Sequence, residues 1–135
     1  MTDLDVLFPA CVEMFTAEVG VSPVAGGGSA AYRARIAEIV QAGRSFVRIE
    51  DEVVVFKAEV GAVAGDVCQV QGVWVDPRFR GRGLSESGMA AVVEQVRADI
   101  SPVVSLYVND YNTAARKSYA RVGFREEATF ATVLF

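Results

Sequence analysis

The sequence predicts an α/β fold, a mixed central sheet flanked by helices. Two observations lead there. Strand-like runs of β-branched and aromatic residues are interleaved with segments whose apolar residues recur at helical spacing. Those segments follow the order α-α-β-β-β-α-β-α-β, without repeats, long linkers or low-complexity tracts. A chain of 135 residues with 52% apolar content is expected to form one domain, residues 1–135, around a single core.

Phe8, Cys11, Val12, Phe15 and Val19 suit the buried stripe of a first helix. Asp5 lies near its start, Pro9 is placed in its first turn, and Gly20 follows its end. A loop containing Gly26, Gly27 and Gly28 leads to a second helix carrying Tyr32, Ile36, Ile39 and Val40, stopped by Gly43. Residues 45–50 and 53–63 read as a hairpin turning at Asp51-Glu52, and Gly65-Asp66 turns the chain into a third strand, residues 67–75. Asp76-Pro77 ends that strand, because Pro77 has no N–H to donate. Leu84, Met89, Val92, Val93, Val96 and Ile100 mark one face of a third helix. Residues 103–108 form a strand. A fourth helix follows, with Asn112 as its cap, Ala115, Tyr119 and Val122 on one face and Gly123 at its end. Residues 124–135 alternate weakly and close the chain as a last strand.

Composition narrows the function. Net charge is −4 and the isoelectric point about 4.8, which disfavours nucleic acid as a partner. No apolar run approaches the ~20 residues of a membrane span, and no signal peptide is visible. A cytoplasmic protein with two free thiols, Cys11 and Cys68, is expected. Histidine is absent, which excludes Ser-His-Asp and Cys-His chemistry, and no metal site is expected.

Against this acidic background, residues 78–83 hold three arginines and two glycines, Arg78, Arg80, Gly81, Arg82 and Gly83. They lie between a strand and a helix that opens at Leu84. A helix N-terminus offers unpaired N–H groups and the positive end of its dipole. The glycines allow close approach of backbone to ligand, and the arginines supply charge-assisted bonds to phosphate oxygens. The turn is built for a phosphate or pyrophosphate. No Lys follows either glycine, so it is not a P-loop; Glu86 stands where a dinucleotide fingerprint needs its third glycine.

What remains, Arg78-x-x-Gly81-x-Gly83, resembles the acyl-CoA loop of the GNAT superfamily of N-acetyltransferases. Asn112-x-x-Ala115-x-x-x-Tyr119-x-x-x-Gly123-Phe124 is similar to a second motif of that family, after its fifth strand. The two occur in the family's order, and the resemblance covers about residues 45 to 127. It implies a mostly antiparallel sheet. The ends depart from the pattern: only four residues precede the first helix and eleven follow Phe124, so the first and last strands are reduced or missing. In this the chain looks most like the C-terminal domain of two-domain bacterial members. A homodimer, or packing against a second domain through Phe130, Val133, Leu134 and Phe135, is the corresponding expectation.

The resemblance also implies the chemistry: acetyl transfer from acetyl-CoA, the cosubstrate, to a primary amine of a small molecule or peptide. Backbone N–H groups of Val73 and Val75 would hold pantetheine and the thioester. The pyrophosphate would sit on the N–H groups of residues 80–84 and the side chains of Arg78, Arg80 and Arg82. Asn112 would bond the pantetheine arm, and Tyr119 would protonate the leaving thiolate. The attacking amine must lose a proton, since a lysine-like amine has a pKa near ~10.4. Residues 67–75 contain no carboxylate, so the base is Glu59 on the neighbouring strand or a water held by Gln69 or Gln71. Plainer readings stand beside these: arginines as surface charge, Asn112 as a helix cap only, Tyr119 as a core aromatic. The competing function is a non-catalytic acyl-CoA-binding module that regulates a partner domain.

Overall fold

The computed structural model describes residues 3–129. Helix α1 (Asp3–Val19) and helix α2 (Ser29–Gln41) are joined by a loop holding a short 3-10 turn, Ala25–Gly27. Strands β1 (Ser45–Glu50), β2 (Val53–Ala64) and β3 (Val67–Val75) follow, then helix α3 (Leu84–Asp99), strand β4 (Val103–Leu106) and helix α4 (Thr113–Val122). The four strands form one sheet in the order β1-β2-β3-β4. β1 and β2, and β2 and β3, pair antiparallel, whereas β3 and β4 run parallel across the α3 connection. None of the described helices is long and apolar enough to cross a membrane.

Each face of the sheet is covered by one helix pair. On one side Met89, Val92 and Val96 of α3 pack on Phe56, Ala58, Val60, Cys68 and Val70, and Tyr119 and Val122 of α4 close the edge of this cluster. On the other, Leu7, Ala10 and Cys11 of α1 and Ile36 of α2 pack on Val54 and Trp74. The period-2 alternation of strands explains the division, since Trp74 and its neighbours Val73 and Val75 point to opposite faces.

The expected elements are present, with three differences. Pro9 lies in the interior of α1, beyond its first turn. The helix starts two residues before Asp5, so the missing Pro9 N–H removes a bond that Asp5 would have accepted. Arg33 of α2 instead binds the Asp5 carboxylate. β4 is shorter than the run of residues 103–108, because the chain turns away from β3 after Leu106. Of the expected last strand, residues 124–129 form no strand. Residues 130–135, with the apolar side chains assigned to association, lie outside the described residues.

The β1–β2 turn is as expected and carries strain. Asp51 and Glu52 both occupy the left-handed region, at φ 49° and 62°, between the paired Glu50 and Val53. This is the two-residue turn whose twist suits a hairpin, and its second position favours glycine. A side chain there costs about 1–2 kcal/mol. Glu52→Gly should therefore raise the thermal midpoint by about 3–5 °C, measured by differential scanning calorimetry.

Candidate acyl-CoA site

Strand β3 has nine residues, but β4 pairs with only four of them, Val67, Cys68, Gln69 and Val70. From residue 71 to 75 the edge of β3 that faced β4 has no partner strand among the described residues. Backbone N–H groups alternate from edge to edge along a strand. The Asp76 N–H donates to the Val55 carbonyl on β2 at 2.9 Å. Val75, and by alternation Val73, therefore direct their N–H groups to the open edge. The two residues singled out in the sequence are the ones whose backbone donors face it. Their side chains pack under α3, on the same cluster as Tyr119.

The open stretch begins at a bulge. Lys57 lies opposite Trp74 and Glu59 opposite Gln71, so β3 carries one extra residue there. Gly72 occupies it at φ 61°, a left-handed conformation. A Cβ at this position would lie 2.5 Å from Glu59 Oε1 and 3.0 Å from Lys57 Nζ, so a larger residue would displace these side-chain ends and would also strain the backbone at its positive φ. Lys57 Nζ donates to the Gly72 carbonyl at 2.6 Å and lies 3.5 Å from Glu59 Oε1. Lys57 is 2% exposed and Glu59 15%. Nearby, the Tyr32 hydroxyl donates to the Cys11 carbonyl at 3.0 Å. Burial, followed by the neighbouring Cys11 and Glu59, pushes the Tyr32 phenol up to about 12. Burial likewise raises the Cys11 and Cys68 thiols, so neither is a poised nucleophile.

At the far end of β3 the chain enters the arginine-glycine loop. Asp76, 2% exposed, caps a 3-10 turn, Pro77–Phe79, by accepting the Arg78 N–H at 2.9 Å. It also accepts both arms of the Arg78 guanidinium, at 3.0 and 2.7 Å. The Arg78 side chain is thus paired with Asp76 and lines a groove against α1 with Pro9 and Glu13, a pairing the sequence reading did not include. Arg80 and Arg82 form no ion pair with any described carboxylate. Arg80 Nε donates to the Val75 carbonyl at 3.2 Å, on the open edge, and the Arg82 guanidinium lies 5.1 Å from the centre of the Phe79 ring.

Gly81 and Gly83 sit at φ 79° and 73°, with open space where a side chain would be. Gly83 is the N-cap of α3 and offers no side-chain acceptor. Consequently no backbone N–H from residue 80 to 86 is bonded to another described residue. Glu86, in the first turn of α3, would oppose an anion there, but Arg121 of α4 binds its carboxylate at 2.7 Å. The first turn of α3 thus combines free donors, two cations and a neutralised acid.

Asn112 is exposed and its Oδ1 accepts the Ala115 N–H at 3.2 Å, the helix cap that its spacing indicated. Its amide nitrogen makes no bond to a described residue. Tyr119 is half-buried, with its ring edge-on to Phe124 at 5.9 Å. Its hydroxyl bonds to no described residue, and burial raises its pKa, so it holds its proton at neutral pH. Lys57 and Gly72 were not singled out in the sequence. The signals were there: a lysine within an apolar run and a glycine inside a β-branched strand, the mark of a bulge or a close approach.

The profile of the acetyltransferase (GNAT) family matches residues 14–124. The chain belongs to that family. An uncharacterised N-acetyltransferase of Methanocaldococcus jannaschii is 32% identical over 62 residues, which are 46% of this chain and 27% of that protein. The chain thus aligns with about a quarter of the length of this curated relative. Among solved structures, a putative acetyltransferase from Agrobacterium tumefaciens superimposes with a TM-score of 0.73 at 17% identity, over 99% of this chain and 96% of that one. An aminoglycoside N-acetyltransferase solved in complex with CoA gives 0.66 at 23% identity, over 94% and 90%. These two likenesses establish the GNAT fold.

The Arg78 guanidinium holds the Asp76 carboxyl below the usual carboxylate range, against the opposing effect of burial. A depressed folded-state pKa contributes stability that is present above the unfolded value, near ~3.9, and is lost as pH falls through the folded value. Asp76→Asn should lower the melting temperature at pH 7 and flatten its acid limb. The melting curves of the two proteins should converge at the acid end of a titration from pH 7 to 2.

Proposed function

We propose that this GNAT domain transfers an acetyl group from acetyl-CoA to a primary amine by direct attack in a ternary complex. The observation that carries the reading is the open edge of β3, which runs from the Gly72 bulge to the uncapped N-terminus of α3. An extended pantetheine arm carries amides that pair with such an edge as a strand would. Val73 and Val75 supply the donors. The pyrophosphate is met by the N–H groups of residues 80–86, with Arg80 and Arg82 as counter-charges. Asn112 reaches the pantetheine through its amide nitrogen while its oxygen caps α4. A relative in fold that was solved with CoA supports the same cosubstrate.

In the reaction the amine nitrogen bonds to the thioester carbon, the carbonyl oxygen gains negative charge, and the carbon–sulfur bond then breaks. The Val73 N–H faces the developing oxyanion, where a fixed donor counts most. Tyr119 donates its proton to the thiolate. Glu59, beside the bulge on the α1–α2 face, takes up the amine proton directly or through water. The acceptor enters from that face, opposite the cosubstrate, and is an amine of a small molecule or peptide. Thiol release from acetyl-CoA with a panel of amines tests the reaction. CoA binding without turnover on any amine would leave the domain as a non-catalytic acyl-CoA sensor.

Two variants separate the roles. Arg80→Ala should weaken CoA binding roughly tenfold through loss of one charge-assisted contact. Unchanged affinity by calorimetry would make Arg80 surface charge. Tyr119→Phe keeps the ring and deletes the donor. It should lower kcat by about ten- to a thousandfold with acetyl-CoA affinity nearly intact, because the proton moves in the transition state. A merely structural Tyr119 predicts a lower melting temperature and an unchanged kcat.

A further inference from the structure

The carbonyl of one residue and the N–H of the next belong to a single planar unit, and across a trans bond they point opposite ways. No described peptide bond is cis. In the unit joining Gly72 to Val73, the N–H end faces the open edge of β3. The carbonyl end receives Lys57 Nζ at 2.6 Å, from β2. We propose that Lys57 is a positioning residue for acetyl transfer: its ammonium, seated on the Gly72 carbonyl, fixes and polarises the peptide whose Val73 N–H meets the thioester oxygen. The inference rests on the acetyltransferase reading and identifies what prepares its oxyanion donor.

Burial makes the placement costly for a merely structural lysine. Lys57 is 2% exposed and sits in a strand whose other fully buried residues are apolar. An apolar side chain of similar length would fill the space without desolvating a charge. The ammonium has three neighbours: the Gly72 carbonyl, Glu59 Oε1 at 3.5 Å and Met14 Sδ at 3.5 Å. The carbonyl is by far the nearest. A cation there draws electron density from the peptide and makes its N–H a stronger donor, as in a hydrogen-bonded chain. The positive charge also lies on the far side of the unit that faces the developing oxyanion, where low dielectric enlarges its effect. The Gly72 bulge turns this carbonyl toward Lys57, and its positive φ and the nearness of Glu59 favour glycine there.

The test uses a ketone analogue of acetyl-CoA, with methylene in place of sulfur and a labelled carbonyl, read by isotope-edited infrared spectroscopy. Bound to the native protein, the carbonyl stretch should lie below its value in water. In Lys57→Met it should move back toward the free value with binding affinity nearly intact. Lys57→Gln, which keeps an N–H but no charge, should fall between and decides the matter if Lys57→Met does not fold. In turnover the neutral variants should lose about tenfold in kcat with the KM for acetyl-CoA held, less than the loss of a whole donor. An equal displacement of the stretch in native and variant proteins overturns the role of Lys57 and leaves the acetyltransferase reading standing. An analogue that does not bind the native protein overturns that reading, and this inference with it.

Discussion

The parting of β3 from β4 after four paired residues is the constraint on which the rest of the site depends. A strand inside a sheet ordinarily spends its N–H and C=O groups on both neighbours. Here β2 takes one set along β3, apart from the step at the Gly72 bulge, but β4 takes the other only as far as Val70. The donors of Val73 and Val75 meet no strand among the described residues. The sheet can tolerate this because helices cover both of its faces: Met89 and Val96 of α3 are fully enclosed against one, and Leu7 and Ala10 of α1 are buried against the other. A second set of unpaired donors lies where β3 ends, in the glycine loop and the first turn of α3. Both sets belong to one continuous segment of chain, so a ligand that is an extended amide arm at one end and an anion at the other matches them in order.

Charge is arranged to serve the same segment. The protein is acidic overall, and a scattering of arginines would do little for an anion. The loop solves this by dividing its arginines. Arg78 is consumed by Asp76, which orders the entry to the loop, while Arg80 and Arg82 carry no carboxylate partner among the described residues. Across the helix start, Arg121 removes the charge of Glu86. The net effect is local: a positive mouth on a negative molecule, made by pairing away the wrong charges as much as by adding the right ones.

Much of this was legible in the sequence because it is written in short-range chemistry. The Asn112 cap, the Gly123 stop and the Asp51-Glu52 turn depend on neighbours within a few residues, and all three stand where spacing placed them. Gly81 and Gly83 were legible as a loop before a helix for the same reason. Pro9 misled because a proline is usually a sign of a helix's first turn, whereas here the Asp5–Arg33 pair and the packing of Leu7 and Ala10 hold a helix around it. The Arg78–Asp76 pair was not legible because Asp76, two residues away, reads equally well as a strand end. Lys57 and Gly72 needed the register: fifteen residues separate them, and only the bulge brings the ammonium to the carbonyl.

The bulge also explains how two faces of a sheet can cooperate in one reaction. A regular strand would turn the Gly72 carbonyl into the ladder with β2 and leave Lys57 with no partner. The extra residue breaks the ladder for one step, frees the carbonyl, and exposes it to the α1–α2 face. The peptide then spans the sheet: its N–H belongs to the edge where an acyl group would lie, its oxygen to the face that carries Glu59, Lys57, Cys11 and Tyr32. In the proposed reaction, a proton leaving an amine on the Glu59 side and charge gathering on a carbonyl oxygen at the Val73 side would be connected through one rigid unit. No side chain has to cross the sheet, and the left-handed φ at the crossing favours glycine.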